Sequence, residues 1–409
     1  MTTLRLLARP FEGFETALER QAEAFADSVA EDVTVERVHR PLPEIHEEYV
    51  AGGGFDGEFD LVLCLSDWLP AVADAGLVEP LSDRVAERGP PDWPDGWARS
   101  MRQLMRYDGD LYGIPYHDGP ECFHYRTDLF ESVAEQRAFR ETYGRPLHVP
   151  RTWAEFLEVA TFFTRPGEDL WGTVVAARPD GHNNVYDFLI GLWSRGGEVF
   201  DDGEPAFHRE PGVQALQFYH DLIHDHEVAP PESVGMESVE SGQFWAEGKA
   251  AMMWNWAGFG ALAEDPDAAV FGDVGYGLIP RADTPAGRHT SLTVNYGLTI
   301  PSDSAHSDLA YEFVRHAASP EMDKVTTTSG ASGCRLSTWR DPDVRREGSF
   351  YGIVEEINTG AVNTLPAIPE YAAFNEILNE AVEAAVVERS TSPEAALSEA
   401  AERTRVLLE

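Results

Sequence analysis

DLVLCL, Asp60 to Leu65, is a nearly continuous apolar run. A strand with one wet face alternates, whereas a run of this kind is buried on both faces and marks the centre of a parallel sheet. Toward the N-terminus, Thr34 to Val38 is β-branched and reads as a second strand, and Thr3 to Ala8 alternates and then fills with leucine as a first strand does. Between them Phe14, Ala17, Leu18, Ala22 and Phe25 recur at helical spacing. A polar helix is expected near Glu44 to Val50, ahead of the Gly52-Gly53-Gly54 loop. Past the run, Trp68 to Ala75 returns to helical spacing. Strand, helix, strand, helix, strand predicts an α/β fold whose parallel sheet is covered on both faces. Ligands of such sheets sit outside the carboxyl ends of the strands. Pro10-Phe11-Glu12 and Ser66-Asp67-Trp68 leave the first and third of those ends.

At 409 residues the chain exceeds one typical core, so two or more lobes are expected. Its 43% hydrophobic and 11% aromatic content suffices to fill them. Against 71 acidic residues stand 31 basic ones, for a net charge of -40, and Lys249 and Lys324 are the only lysines. Such a surface repels itself in dilute buffer. Near 1 M salt the Debye length falls to roughly 3 Å and the repulsion is screened, so a salt-rich milieu is expected. The same charge argues against nucleic acid, which requires a basic footprint. Cys64, Cys122 and Cys334 are far apart and odd in number, without metal-ligand spacing. They read as small buried apolar residues, and no disulfide framework, metal site or cofactor is expected. No stretch reaches the roughly 18 consecutive apolar residues of a membrane span. The opening MTTLRLLARPFEGFE has no signal-peptide core. Either a leader has been removed and the protein works outside the cell, or it works inside.

Further along, Arg106 to Tyr116 reads as a turn and an extended crossing, and Tyr125 to Phe130 leads into a helix. Thr152 and Glu155 form a capping box ahead of a helix over 152–163. Asp187 to Trp193, Val213 to Ile223 and Asp308 to Ala318 are amphipathic helices, while Gly275 to Ile279 and Leu292 to Ile300 read as strands. Tyr371 to Val387 is helical, and Ser392 caps a last helix. In FWAEGKAAMMWNWAG, Phe244 to Gly258, a short apolar run predicts a buried strand. At its exit, in a loop, Trp254 and Trp256 flank Asn255, a surface suited to a ligand with an apolar face and a hydroxyl rim. Core packing of the two indoles is the other reading of this stretch.

The order of these signals resembles the extracellular solute-binding proteins of ABC importers, the family that includes maltose- and other sugar-binding proteins. FDLVLCLSDWLPAVADAGLVEPLSD (Phe59 to Asp83) is similar to that family's third strand and following helix. LYGIPYHDGPECFHYRTDLF (Leu111 to Phe130) is similar to its first interlobe crossing, with Arg126 where Asn is usual. PRTWAEFLEVA (Pro150 to Ala160), FWAEGKAAMMWNWAG and SPEMDKVTTTSGASGCRLS (Ser319 to Ser337) follow in the family's order. The resemblance implies a periplasmic-binding-protein-like pair of discontinuous α/β lobes that close by a hinge motion on a ligand in the cleft. The first lobe is expected over 1–114 and 281–317, the second over 118–275 and 321–409, with hinges near 114–117, 275–280 and 317–320. It also implies a small-molecule solute, expected to be a carbohydrate, a transporter permease as partner, no enzymatic activity, and a monomer.

In that reading aromatic faces cover the C–H face of a sugar, and carboxylates and amides meet its hydroxyls. Glu12, Ser66, Asp67 and Trp68 leave strand ends; Asp67 resembles the family's hydroxyl-binding acid, with an N-cap of the next helix as the alternative, and the two roles can coexist. Trp254, Asn255 and Trp256 are expected on the second lobe. Asn295 and Tyr296 are expected to follow the strand beginning near Leu292, with a turn role as the alternative. Tyr116, His117 and Asp118 lie at the crossing, where hinge and ligand contacts coincide. Asn183, Asn184 and Tyr186 precede a helix, and for Asn184 a helix-cap role is the alternative to ligand contact. Arg335 reaches a ligand or makes a salt bridge, and Tyr371 resembles an aromatic position near the end of the family's cleft. His220, His224 and His226 lack HExxH, GGGFDG (Gly52 to Gly57) lacks a P-loop ending, and no G-x-S-x-G elbow is present. Two alternatives stay open: an intracellular carbohydrate-active enzyme, and the same fold binding an oligopeptide, polyamine or polyol phosphate.

Overall fold

The computed structural model describes residues 2–29, 32–263 and 265–409. Its principal elements begin with β1 (Thr2–Ala8), α1 (Glu12–Ser28), β2 (Val33–His39), β3 (Leu61–Leu65), α2 (Leu69–Asp74), β4 (Gly113–His117), β5 (Glu121–Arg126), α3 (Trp153–Phe163) and β6 (Trp171–Thr173). They continue with α4 (Asn183–Ser194), α5 (Glu210–His224), β7 (Ala250–Trp256), β8 (Val274–Gly277), β9 (Tyr296–Thr299), α6 (Ser307–Ala317), α7 (Pro320–Thr328), α8 (Tyr371–Val382) and α9 (Pro393–Leu408). Two compact units result. One is Met1–Gly119 with Thr293–Thr359 and Thr364–Tyr371; the other is Pro120–Leu292 with Gly360–Asn363 and Ala372–Glu409.

The first unit is built on a sheet of order β2-β1-β3-β9-β4. β1 pairs in parallel with β2 from Thr2↔Val33 to Ala8↔His39, and with β3 at Leu6↔Leu61 and Leu7↔Val62. The uninterrupted apolar run makes β3 central, with Leu61, Val62 and Cys64 fully enclosed. β9 runs antiparallel to β3 and β4, and Tyr296 stands opposite both Leu65 and His117. Leu7, Val62 and Cys64 pack with Tyr49, Phe55, Phe59, Trp68 and Leu69 in one core. Each such large side chain contributes roughly 1.5–3 kcal/mol on burial. α1 buries Phe14, Ala17, Leu18 and Phe25, the positions whose spacing predicted it. The polar helix near Glu44 is a short α-turn, Leu42–Ile45, that continues as a π-wound turn over His46–Ala51.

α7 and the chain after it as far as Thr359, with Thr364–Tyr371, belong to this first unit, where the expected boundary put all of 321–409 in the second; Ala372–Glu409 does lie in the second. The reason is a set of bonds that no local pattern encodes. Gln21 Nε2 on α1 donates to Met322 O and to Thr326 Oγ1, both at 2.9 Å, and Trp97 bridges to Arg335. Gly13 permits the approach: a Cβ there would stand 2.7 Å from the backbone of Gly330 and Ala331.

The second unit holds a sheet of order β8-β5-β7-β6. β7 is antiparallel to β5, with Trp254 opposite Phe123 and Trp256 opposite Glu121, and parallel to β6. Segment 281–292, expected in the first lobe, is tied here instead: Trp153 N donates to Arg281 O (2.9 Å) and Arg281 N to Arg151 O (3.1 Å). The run Leu292 to Ile300 is therefore two strands. Ser291–Leu292 pairs with Val362–Asn363 in the second unit, and β9 joins the first unit's sheet. α3 begins with the predicted box, Glu155 N donating to Thr152 Oγ1 at 3.2 Å and Glu155 Oε2 accepting from Thr152 N at 3.3 Å. α4 is enclosed along its whole length. All three cysteines are buried free thiols. Among the described residues no helix is long and apolar enough to cross a membrane.

Candidate functional site

In the first unit the carboxyl ends of β1, β3 and β4 and the start of β9 share one edge of the sheet. That edge gathers Arg9, Phe11, Glu12, Ser66, Asp67, Trp68, His117, Asn295 and Tyr296. Ser66 N donates to Asn295 O at 2.9 Å, and Asn295 N returns to Ser66 Oγ at 3.2 Å, which locks the β3 exit to the β9 entry. Asn295 is fully buried, and its Oδ1 has no hydrogen-bond partner among the described residues. Ser66 and Asp67, with Gln103, Arg106 and the 364–367 loop, line a small cavity of about 40 Å³. Glu12 is exposed on the first turn of α1. Trp68 precedes α2 with its ring edge-on to His46, 5.4 Å between centroids, and packs into the core; Asp67 is not the helix cap that the alternative reading allowed, since α2 has no side-chain cap.

His117 is held in one tautomer. Its Nδ1 accepts from Ser332 N at 2.8 Å, which leaves the proton on Nε2. Burial and the charge of Arg9 push the imidazole down to about 3, so it stays a neutral donor. Its neighbours along the crossing are framework residues. The Tyr116 hydroxyl donates to Gln21 Oε1 at 2.9 Å. Asp118 is fully enclosed and accepts from Thr293 Oγ1 and, at 2.8 Å, from Asn358 Nδ2. Burial raises its carboxyl to about 6 against the lowering effect of those bonds. Arg335 is likewise internal: it donates to Pro91 O, Ala318 O and Asp92, and stacks 4.2 Å over Trp97. The alternatives of crossing and salt-bridge roles describe Tyr116, Asp118 and Arg335. Tyr371 is buried where α8 begins.

In the second unit the expected loop at 254–256 is the end of β7, so strand alternation sends both indoles to one side and Asn255 to the other. Trp254 is a core residue, edge-on to Trp153 (5.4 Å) and Phe156 (5.7 Å), with Nε1 donating to Asp187 Oδ1 at 2.7 Å. Asn255 donates to Ser238 O (2.9 Å) and Ser241 Oγ (3.1 Å) and accepts from Trp256 N (2.8 Å). These committed polar atoms correct the picture of Trp254 and Asn255 as open surface. Trp256 differs. It is half-buried, edge-on to Tyr186 at 5.9 Å, with Nε1 donating to Asn183 Oδ1 at 3.0 Å. Asn183 passes the constraint on through Nδ2 to Glu121 Oε1 at 3.2 Å, and Asn184 binds Asn379 (2.7 Å) rather than capping α4.

Glu121 and Asp187 were not foreseen from the sequence. Both are enclosed, and burial followed by their mutual proximity drives the Glu121 carboxyl well above its ordinary range. Burial also raises Asp187, against bonds from Trp254 and Tyr219. Burial thus favours the protonated form of both carboxyls where exposed ones are ionised. The one available signal was an acid in apolar register in ECFHYR, two positions from Phe123. On α5, His220, Asp221 and Asp225 bring ligand atoms within 4.8 Å of one another, with Asp225 exposed and Asp221 already bonded to Gln217.

Residues 49–324 match the family of bacterial extracellular solute-binding proteins. The arabinooligosaccharide-binding protein of Halalkalibacterium halodurans is 23% identical over 335 residues, 75% of this chain and 68% of that protein. The mannitol-binding protein of Pseudomonas aeruginosa is 26% identical over 295 residues (70% and 63%), and a probable amino-acid ABC transporter periplasmic-binding protein of Sinorhizobium fredii is 24% identical over 307 (75% and 65%). The chain thus spans about two thirds of the length of these relatives. Among solved structures, maltose-bound T. maritima MalE3 superposes with a TM-score of 0.83 at 22% identity, covering 100% of both chains. A ribitol complex of an ABC transporter solute-binding protein from Agrobacterium radiobacter gives 0.82 at 24%, covering 99% and 98%. At such identities these likenesses show the fold, the one the ordered motifs implied. Matched over most of its length, the chain belongs to the bacterial extracellular solute-binding proteins.

Proposed function

We propose that the protein captures a small polyhydroxylated solute outside the cell, a mono- or oligosaccharide or a sugar alcohol, and delivers it unaltered to the permease of an ABC importer. The observation that carries this reading is Trp256: a half-buried indole whose N–H is fixed by Asn183, a ring pre-set for one orientation. A fixed aromatic plane suits the C–H face of a sugar at low entropic cost. Around the first unit's sheet edge Glu12, Ser66, Asp67 and the Nε2–H of His117 supply acceptors and a donor for hydroxyls. The names of two relatives, arabinooligosaccharide- and mannitol-binding, support the same reading, while a third is named for amino acids. A carbohydrate-active enzyme is set aside by family membership. The enclosed Glu121 and Asp187 do not revive it, being engaged by Asn183, Trp254 and Tyr219.

The proposal includes a monomer working in concentrated salt, on the strength of the net charge of -40. A thermal-shift and calorimetric screen of sugars and sugar alcohols in molar KCl tests the whole. Stabilisation by at least one of them, with no product formed, is expected. Stabilisation by amino acids or peptides alone would remove the carbohydrate reading.

A further inference from the structure

The first unit's sheet edge holds a cation without a counter-charge. Arg9 follows β1 and is half-buried; its Nε is enclosed and unpartnered, and among the described residues no carboxylate lies within ion-pair distance of its guanidinium. By contrast, Arg5, four residues earlier on β1, holds two carboxylates, Glu36 and Glu58. Arg9 is walled by rings instead, with Phe11, Phe14 and Tyr296 at 5.3, 5.8 and 5.6 Å from its guanidinium carbon. His117 closes the wall, 5.0 Å from Phe14 and 5.8 Å from Tyr296. Ring faces stabilise the positive charge, yet they accept none of the five N–H donors in the usual sense.

The donors of a guanidinium form a planar fork that fits one carboxylate through two parallel bonds. Hydroxyl-matching groups stand at the same edge, Ser66 and Asp67 on the β3 exit and Glu12 on the β1 side. The edge therefore offers acceptors for hydroxyls and one positive fork. We infer that the solute is a sugar acid, a hexuronate or aldonate or an oligosaccharide bearing one, whose carboxylate docks on Arg9. This rests on the reading of the protein as a sugar carrier. A phosphate monoester fits less well: it brings ≈ -1.5 to -2 of charge to a single guanidinium with Glu12 and Asp67 nearby. The net charge of -40 does not bar a carboxylate at molar salt, where a Debye length of roughly 3 Å leaves contact interactions in command.

The test is calorimetric titration of the intact protein in molar KCl with glucuronate against glucose, galacturonate against galactose, gluconate against sorbitol, and glucose 6-phosphate. The acid of the preferred pair is expected to bind about tenfold tighter or more than its neutral partner, as a charge-assisted pair predicts. In Arg9→Gln that ratio should collapse to within about twofold; in Arg9→Lys, which keeps the charge and loses the fork, it should fall at least about threefold. Melting curves show which variants fold, and the lysine variant decides if the glutamine one does not. Equal or tighter binding of the neutral partner, tightest binding of the phosphate, or a ratio unchanged in the folded variants overturns the inference and leaves the sugar reading standing. Failure of every sugar, polyol and sugar acid to bind overturns both.

Discussion

Trp256 and Trp254 are separated by one residue and by their surroundings. Trp254 is packed on Trp153 and Phe156, while Trp256 keeps part of its ring open. Trp256→Ala is expected to weaken solute binding roughly 10- to 50-fold, the order of a ring contact of about 2 kcal/mol, with a small change in melting temperature. Trp254→Ala should instead cost about 3–5 kcal/mol of stability, read as a lower denaturation midpoint. The indole cluster was legible in the sequence; which indole is core was not, because the deciding partner, Asp187, is 67 residues away. The Glu121–Asp187 pair makes a pH prediction. Below the ordinary carboxylate range folded and unfolded chains both carry these protons. As pH rises through that range the unfolded chain releases them and the folded one keeps at least one, so stability falls by up to about 1.4 kcal/mol per pH unit per retained proton. Asp187→Asn still accepts from Trp254 and has no proton to retain. Its melting temperature should decline less than the parent's between pH 5 and pH 8, and parallel curves would contradict a proton retained by Asp187.

Elements defined by local chemistry were read correctly. The α3 box needs only Thr152 and Glu155, and Ser392 caps α9 through Ala395 N at 3.2 Å for the same reason. Thr152→Ala should cost about 1 kcal/mol, visible as a small shift in urea midpoint at unchanged slope. A larger effect is expected at Gly172 on β6, where a Cβ would stand 2.0 Å from Ala160 O on α3. Gly172→Ala must push helix and strand apart, at about 1–3 kcal/mol or more, and a melting temperature equal to the parent's would refute that packing. The Leu292 to Ile300 run was read as one strand because apolar periodicity says nothing about a change of sheet. Its two halves pair with Val362–Asn363 and with β3 and β4, choices made by residues far along the chain.

At the level of the whole chain, charge sets the working medium. With 71 acidic residues against 31 basic ones, the melting temperature should climb between dilute buffer and molar KCl, and a flat or falling curve would end the salt-rich reading. The division into units was legible as a number, not as boundaries. Length and motif order announced two, whereas the ties of Gln21 to α7 and of Trp153 to Arg281 moved 321–359 and 281–292 across. Those boundaries bear on synthesis. The first unit closes only when residues 364–371 have been made, and the second only with 372–409. A ribosome therefore has almost the whole polypeptide out before either body can finish folding. Within the first unit, β1 to β3 are made long before β9, the strand that covers the open edge of β3.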